Sequence, residues 1–342
     1  MSKRALLIII YIWVLCFSMT VTISGPAYAD KKYAIKFATV APEGSLWVKH
    51  MKQLDKTIRE ESDGQLSFRL YAGGIAGDEL DVLRKIRVGQ IHCAAFSGAG
   101  IAQILPMARI LDLPFLFRNQ KELEAVKNDL FDLLSNSYRE NGFEFLAWAE
   151  VGDVHLLSKK SIQEVDDLAG LKVWTWTGDP ISKSTFSAMG TNPIPMAITE
   201  VSTALNTGMV DTVYAPPIGA LALQWHSHVK YMTSFPIAHS TGAILISKKY
   251  YDSIPDQLTD ILKNKLAITM TNLASDLNTQ NKETKTLIKQ AGVELTPMPS
   301  DSELQKFYSI HEIVAKDLIG DIYPDHLLRR VYEVLENLRK NP

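Results

Sequence analysis

Apolar positions along this chain follow two periods in turn. Tyr33–Val40 alternates as a strand does, and Gly44–Glu61 repeats at helical spacing. Leu66–Tyr71 is again strand-like. Gly73-Gly74 follows it, then a helical stretch over Asp78–Val88 and a short apolar run over Ile91–Phe96. This order of strand, helix, strand, helix, strand predicts a parallel sheet with right-handed crossovers. Gln120–Glu140 is predicted helical, and Phe143–Ala149 a strand that leaves this first unit. A second unit begins near Val154–Leu157. It continues with a strand over Leu171–Trp176, helices over Ile181–Met189 and Thr199–Thr207, and a strand over Met209–Tyr214. Tyr231–Ile246 alternates once more. From Asp256 to Ala291 there is neither Pro nor Gly, and Gly292 follows as a stop. Read as one helix, that run is roughly 54 Å long at 1.5 Å per residue, too long for one small α/β unit. Residues 303–340 supply two further helices.

The first thirty residues belong to a different grammar. Lys3 and Arg4 precede an apolar run from Ala5 to Val21, and the run ends in Gly25-Pro26-Ala27-Tyr28-Ala29 before Asp30. Charged, apolar and small-residue regions in that order describe a secretory signal cleaved after Ala29. The run is slightly short for a membrane span of about 20 residues. Removing residues 1–29 leaves 34 basic against 38 acidic side chains, a net charge of −4, and only Cys93 among the cysteines. A disulfide within the mature chain is thereby excluded, as is a cysteine zinc site. The charge argues against a nucleic-acid partner.

Catalytic signatures are absent. Phe96-Ser97-Gly98-Ala99-Gly100 lacks the spacing of a nucleophile elbow, and no phosphate loop or dinucleotide fingerprint occurs. His226, His228 and His239 lie without a carboxylate or thiol neighbour in sequence, too few ligands for zinc. Cys93, flanked by apolar residues, is read as core. No cofactor is predicted.

Several short motifs occur in a characteristic order. Gly170-Leu171-Lys172-Val173 precedes Gly190-Thr191-Asn192-Pro193-Ile194-Pro195-Met196, then Glu200-Val201, Ala204-Leu205-Asn206-Thr207-Gly208 and Val210-Asp211. Upstream stand Leu70-Tyr71, Gly77-Asp78-Glu79, Gly89-Gln90-Ile91 and Leu113-Pro114-Phe115; downstream, Tyr250-Tyr251-Asp252-Ser253-Ile254-Pro255. Together they resemble the solute receptors of TRAP (tripartite ATP-independent periplasmic) transporters, over nearly all the mature chain. The resemblance implies an α/β fold of two lobes, each a central sheet flanked by helices, crossed by a long helix. It implies a periplasmic, non-enzymatic receptor that closes on a small organic solute by hinge motion. The partners it implies are the small and large membrane subunits of an ion-gradient-driven permease. The boundaries expected are a signal peptide over 1–29, lobe I over 30–153 with a return segment of about 240–275, and lobe II over 154–239 with a C-terminal segment of about 276–342. The long helix, about 256–291, would span both.

This chain departs from the family pattern where ligand contacts are expected. The pattern G-x-K-[IV]-R ends in an arginine whose planar fork suits a carboxylate; here the position holds Trp174. Three further positions that are often polar or basic in the family are Val154, Gly100 and Ala215, and no arginine occurs between Arg139 and Arg329. The ligand expected is therefore less polar than an organic acid. Lys159, Lys160, Lys172, Lys183 and Lys230 are poor substitutes, being mobile point charges. Trp174 and Trp176, two apart on a strand, share a face. With Phe96, Ser97, Trp148, Glu150, Tyr214 and Phe235 they form the expected ligand-contacting set, located where strands end and crossovers begin. Two other readings use the same residues: a periplasmic sensor that presents its ligand to a signalling protein, and an enzyme built on His155, Glu150 and Asp153. The signal reading makes an immediate prediction. Protein from a periplasmic extract begins at Asp30 or within a residue or two of it; Met1 recovered intact in the membrane fraction would make Ala5–Val21 an anchor instead.

Overall fold

Alternating burial along the first strands anchors one of two sheets. The computed structural model describes residues 31–149 and 152–340, so the signal-like segment and Glu150 lie outside the described residues. Strand β1 (Tyr33–Ala38) buries Ile35 and Phe37 completely. Helix α1 (Leu46–Glu61) begins at Ser45, whose hydroxyl accepts the Val48 N–H, and turns Trp47, Met51, Leu54 and Ile58 inward. Strand β2 (Leu66–Tyr71), helix α2 (Glu79–Arg87) and strand β3 (Cys93–Phe96) complete the predicted unit, with β2 and β3 both parallel to β1. A short helix α3 (Gly98–Ala102) and a 3-10 turn, Pro106–Asp112, lead to α4 (Gln120–Glu140) and β4 (Phe143–Trp148).

The second sheet begins with β5 (Gly152–Ser158) and β6 (Lys172–Trp176), followed by helix α5 (Pro180–Ala188). Next come β7 (Asn192–Met196), α6 (Val201–Thr207), β8 (Thr212–Ala215) and α7 (Pro217–Ala222). The alternating stretch after residue 230 divides into three short strands, β9 (Tyr231–Met232), β10 (Ala238–Ser240) and β11 (Ala243–Ser247). Strand β11 returns to the first sheet, which has the order β2-β1-β3-β11-β4. A short helix α8 (Lys248–Tyr251), the long helix α9 (Asp256–Gln290) and strand β12 (Glu294–Leu295) follow. The second sheet has the order β12-β9-β5-β8-β6-β7, with β10 paired to β5. No strand is predicted above over β7, and its Pro193 and Pro195 disfavour one. It forms because it is the outermost strand, paired only with β6, where missing N–H groups are tolerated.

The chain crosses between the sheets at β4–β5 and again at β10–β11, where the Ala149 N–H donates to the Gly242 carbonyl at 2.8 Å. Helix α9 is the third connection, 35 residues long. Its Leu258, Leu262, Leu266, Leu273 and Leu277 share a core with Ile35, Phe37 and the inner face of α1, while Ile288 joins a second core with Trp225 and Val293. The last two helices separate. Helix α10 (Asp301–Asp317) packs on α5, whereas α11 (Asp325–Lys340) returns to α4, where Arg339 pairs with Glu122 at 2.8 Å. The segment 276–342 is therefore shared between the two halves rather than lying with the second alone. Leu266, fully buried between α9 and the first core, is a sensitive probe of this packing. Replacing it by Ala should lower unfolding free energy by about 2–5 kcal/mol in chemical denaturation; a loss within ~0.5 kcal/mol would show that α9 is not seated there.

Candidate ligand-binding cavity

Between the two sheets lies a cavity of about 260 Å³ whose walls come from both halves. The first half contributes the β1–α1 loop and Trp47 at the start of α1, the end of β3 with Phe96 and Ser97, and Arg109 and Asp112 of the 3-10 turn. The second contributes Trp174 and Trp176 of β6, Asp179 and Phe186 around α5, Tyr214 and Ala215 of β8, and Trp225. Most of the lining is apolar.

The aromatic wall grows out of β6. Trp174 and Trp176 do share a face, with ring centroids 5.6 Å apart. Trp174 stacks on Tyr214 at 5.0 Å, meets Trp225 edge-on at 5.1 Å, and donates its indole N–H to the Met196 carbonyl. It is 2% exposed, so only a margin of the ring reaches the cavity. Trp176 donates its N–H across the cleft to the Asp78 carboxylate at 3.0 Å, and burial raises the Asp78 pKa against that bond. Tyr214 turns a partly open ring to the cavity. Burial first, then the nearby Asp179 charge, pushes its phenol well above the ordinary tyrosine value. The hydroxyl makes no geometrically complete hydrogen bond, although Ser182 is near enough to influence its ionisation.

Charge is concentrated at one point. Arg109, 4% exposed, donates from Nε to Asp112 at 2.6 Å and from Nη1 to Asp179 at 2.5 Å and to the Gly98 carbonyl at 2.9 Å. Burial works against its charge, but Asp179 and Asp112 more than offset that and hold it protonated. Asp112 also accepts from the Thr241 hydroxyl and N–H, tying the turn to the second crossing. Asp179, at the N-cap of α5 before Pro180, also accepts the Ile181 N–H. Close by, the carboxylate of Glu79 accepts the N–H groups of Ser97 and Gly100, each at 2.8 Å, and the Ser97 hydroxyl. Burial dominates over those three bonds and raises Glu79 to about 7. Glycine is required at two places here. A Cβ on Gly98 would lie 2.6 Å from the Arg109 guanidinium carbon, and one on Gly100 would meet Glu79 Oε2 at 2.7 Å and the Phe96 ring closer still. A basic side chain at position 100 is incompatible with Glu79 in this seat.

Of the residues expected to meet a ligand, Phe96, Ser97, Trp174, Trp176 and Tyr214 line the cavity. Trp148 does not: its ring packs edge-on against Phe145 at 4.9 Å, beneath the Lys127 ammonium. Phe235 is also elsewhere, buried against Phe307 with centroids 4.8 Å apart. Trp148 ends β4 and Phe235 lies in the bend between β9 and β10, but both side chains turn into the core. None of the five lysines considered above lines the cavity; Lys159 and Lys172 instead reach the carbonyls of Leu205 and Gly208. Val154 and Ala215 do line it. Sequence reasoning missed Arg109, Asp112, Asp179 and Glu79. Asp179-Pro180 is legible as a helix start, but nothing local pairs it with an arginine 70 residues away.

Of the acid/base group considered above, Glu150 lies outside the described residues, and His155 and Asp153 engage different partners. His155 is fully buried, bonding through Nδ1 to the Thr233 carbonyl at 2.8 Å, while Asp153 is mostly exposed and pairs with His239 at 3.1 Å. His226 and His228 lie on a 3-10 turn, and among the described residues no cluster of metal-ligating side chains occurs. Burial, aided by Lys285, lowers His155 to about 4, so the folded state keeps it neutral. The unfolded chain binds this proton near the ordinary value of 6.5 and the folded chain only near 4. Stability conferred by the neutral imidazole is thus complete above 6.5 and lost as pH falls toward 4. Compared with His155→Gln, the wild-type protein should lose up to about 3 kcal/mol between pH 7 and pH 4 in denaturant titrations. Parallel pH profiles for the two proteins would refute the buried neutral histidine.

Comparison with known proteins places this geometry. The family described as bacterial extracellular solute-binding protein, family 7, matches residues 37–319. A solute-binding protein of Verminephrobacter eiseniae (strain EF01-2) is 30% identical over 203 residues, 58% of this chain and 60% of that protein. The 2,3-diketo-L-gulonate-binding periplasmic protein YiaO of Escherichia coli (strain K12) is 27% identical over 62% of this chain and 65% of its own length. The chain thus spans under two thirds of each of these two relatives. Among solved structures, the sugar acid binding protein DctPAm from Advenella mimigardefordensis strain DPN7T, in complex with galactonate, superposes with a TM-score of 0.84. That match has 22% identity and covers 90% of this chain and 99% of the other, so the two-lobed fold is shared.

Proposed function

The chain belongs to the bacterial extracellular solute-binding proteins of family 7, receptors of the TRAP type rather than enzymes, and we propose that its ligand is a small, largely uncharged and partly apolar organic solute. The receptor closes its lobes on this solute and delivers it to a permease of one small and one large membrane subunit. It works in the periplasm after cleavage behind Ala29. Its lobes meet at the crossings near residues 149–152 and 240–243, with α9 shared between them.

One observation carries the reading of the ligand. Trp174, Val154 and Ala215 occupy positions where the family resemblance calls for polar contacts, and all three line the cavity as apolar groups. A carboxylate enclosed there needs a charged partner, since an unpaired buried charge costs several kcal/mol. Trp174 offers a single neutral N–H, already donated to Met196. Apolar burial, at about 25 cal/mol per Å2, is the driving term left to a ligand here. The relatives named for 2,3-diketo-L-gulonate and galactonate bind acids, so the charge of the ligand is the quantity to measure. In a thermal-shift and calorimetry panel on protein unfolded and refolded to strip bound ligand, small dicarboxylates and sugar acids should bind more weakly than ~100 μM, and uncharged aromatic or alicyclic solutes more tightly. Submicromolar binding of a small dicarboxylate would refute the reading.

A further inference from the structure

Among the described residues one guanidinium lines the cavity, and it is already paired. Arg109 comes from the first lobe, and its Nη1 is met across the cleft by Asp179 of the second at 2.5 Å, while Nε is met by Asp112 at 2.6 Å. Side chains of both acids are buried, at 5% and 10% exposure. We propose that Asp179 is a specificity-determining residue: its carboxylate occupies the anion position beside Arg109 and so excludes acidic ligands from the closed cleft. The proposal rests on the reading of the ligand given above and names the residue that enforces it.

Three independent features support it. First, the pair joins the two lobes, so closure itself brings the carboxylate to the guanidinium, and a ligand acid would have to displace it. Second, the other preformed anion seat at the cavity, the N–H groups of Ser97 and Gly100, is filled in the same manner by Glu79. Third, among the described residues the lining holds three carboxyl groups, Glu79, Asp112 and Asp179, against a single guanidinium and no lysine. An incoming anion therefore meets no surplus positive charge. Trp176, hydrogen-bonded to Asp78 at 3.0 Å, and Gln103, bonded to the Gly178 carbonyl at 3.2 Å, hold the Asp179 turn in place across the same cleft. Asp179 is thus positioned from both sides.

Asp179 can be altered without removing the helix start, because Asn and Ser are both good N-caps. Asp179→Asn removes the charge and keeps the volume; Asp179→Ser removes the charge and leaves room for a carboxylate. Succinate and its neutral diamide succinamide serve as probes in calorimetry at low salt. Both variants should bind succinate at least about tenfold more tightly than the wild-type protein, the serine variant more so, as expected when a charge-assisted pair becomes available. Succinamide affinity should shift by much less than the succinate gain, and Arg109→Gln combined with Asp179→Ser should abolish that gain. Weak succinate binding by the wild type with no gain in either variant would overturn the role of Asp179 while leaving the uncharged-ligand reading intact. A gain that survives the loss of Arg109 would overturn it as well. Tight succinate binding by the wild type would overturn both.

Discussion

A guanidinium buried between two lobes must be neutralised where it sits, and that constraint organises the centre of this protein. Arg109 is held by one carboxylate from its own lobe and one from the other. Removing Arg109 would strand two buried carboxylates, at about 3–5 kcal/mol, whereas removing one carboxylate leaves the guanidinium paired with the other. The surrounding chain is shaped to prevent that. Gly98 has no side chain because the guanidinium lies against its backbone and takes its carbonyl. Thr241, on the second crossing, fixes Asp112 with both its hydroxyl and its N–H. Asp179 is fixed by the start of α5. The electrostatics of the cavity, the path of the crossing and the capping of a helix are thus one arrangement.

The aromatic wall answers the same constraint from the apolar side. Trp174, Trp176, Tyr214 and Trp225 pack against one another beside the charged group. Aromatic faces exclude water, which strengthens the Arg109–Asp179 attraction and equally raises the cost of any unpaired charge. Each indole N–H of β6 has an acceptor, Met196 for Trp174 and Asp78 for Trp176, so the wall offers a ligand more surface than hydrogen bonds. Water exclusion and internal neutralisation together define a cavity suited to shape and apolar contact.

Periodicity made the architecture legible because burial of one face dictates it. The strands β1 to β6 and the 35-residue helix α9 lie close to where the apolar spacing predicts them. Strand β7 escaped because its prolines are acceptable only at a sheet edge, and edge position is a property of the assembled sheet. The cavity was legible in part. Trp174, Trp176 and Tyr214 follow from strand alternation and family spacing, whereas Trp148, at the end of β4, and Phe235, in the bend before β10, have their rings turned into the core. The charged group was not legible at all. Arg109, Asp112 and Asp179 are individually ordinary, and their meaning arises only when the crossings bring residues 70 positions apart into contact.

The family relation and the local chemistry therefore answer different questions. Family membership fixes that a solute is captured, and the two-lobed fold persists at low sequence identity because it depends on patterns of burial. What is captured depends on a few polar atoms. In this chain the position expected to carry a cation from the second lobe carries an indole, while a cation appears in the first lobe together with a carboxylate facing it from the second. On the proposed reading, a counter-charge supplied from within keeps a cross-cleft attraction that favours closure and makes it independent of an acidic ligand. Affinity in such a receptor must come from filling the space that remains. If Asp179 acts as proposed, selectivity follows from the shape of the wall formed by Trp174, Tyr214 and Trp225 and from the penalty on a second negative charge.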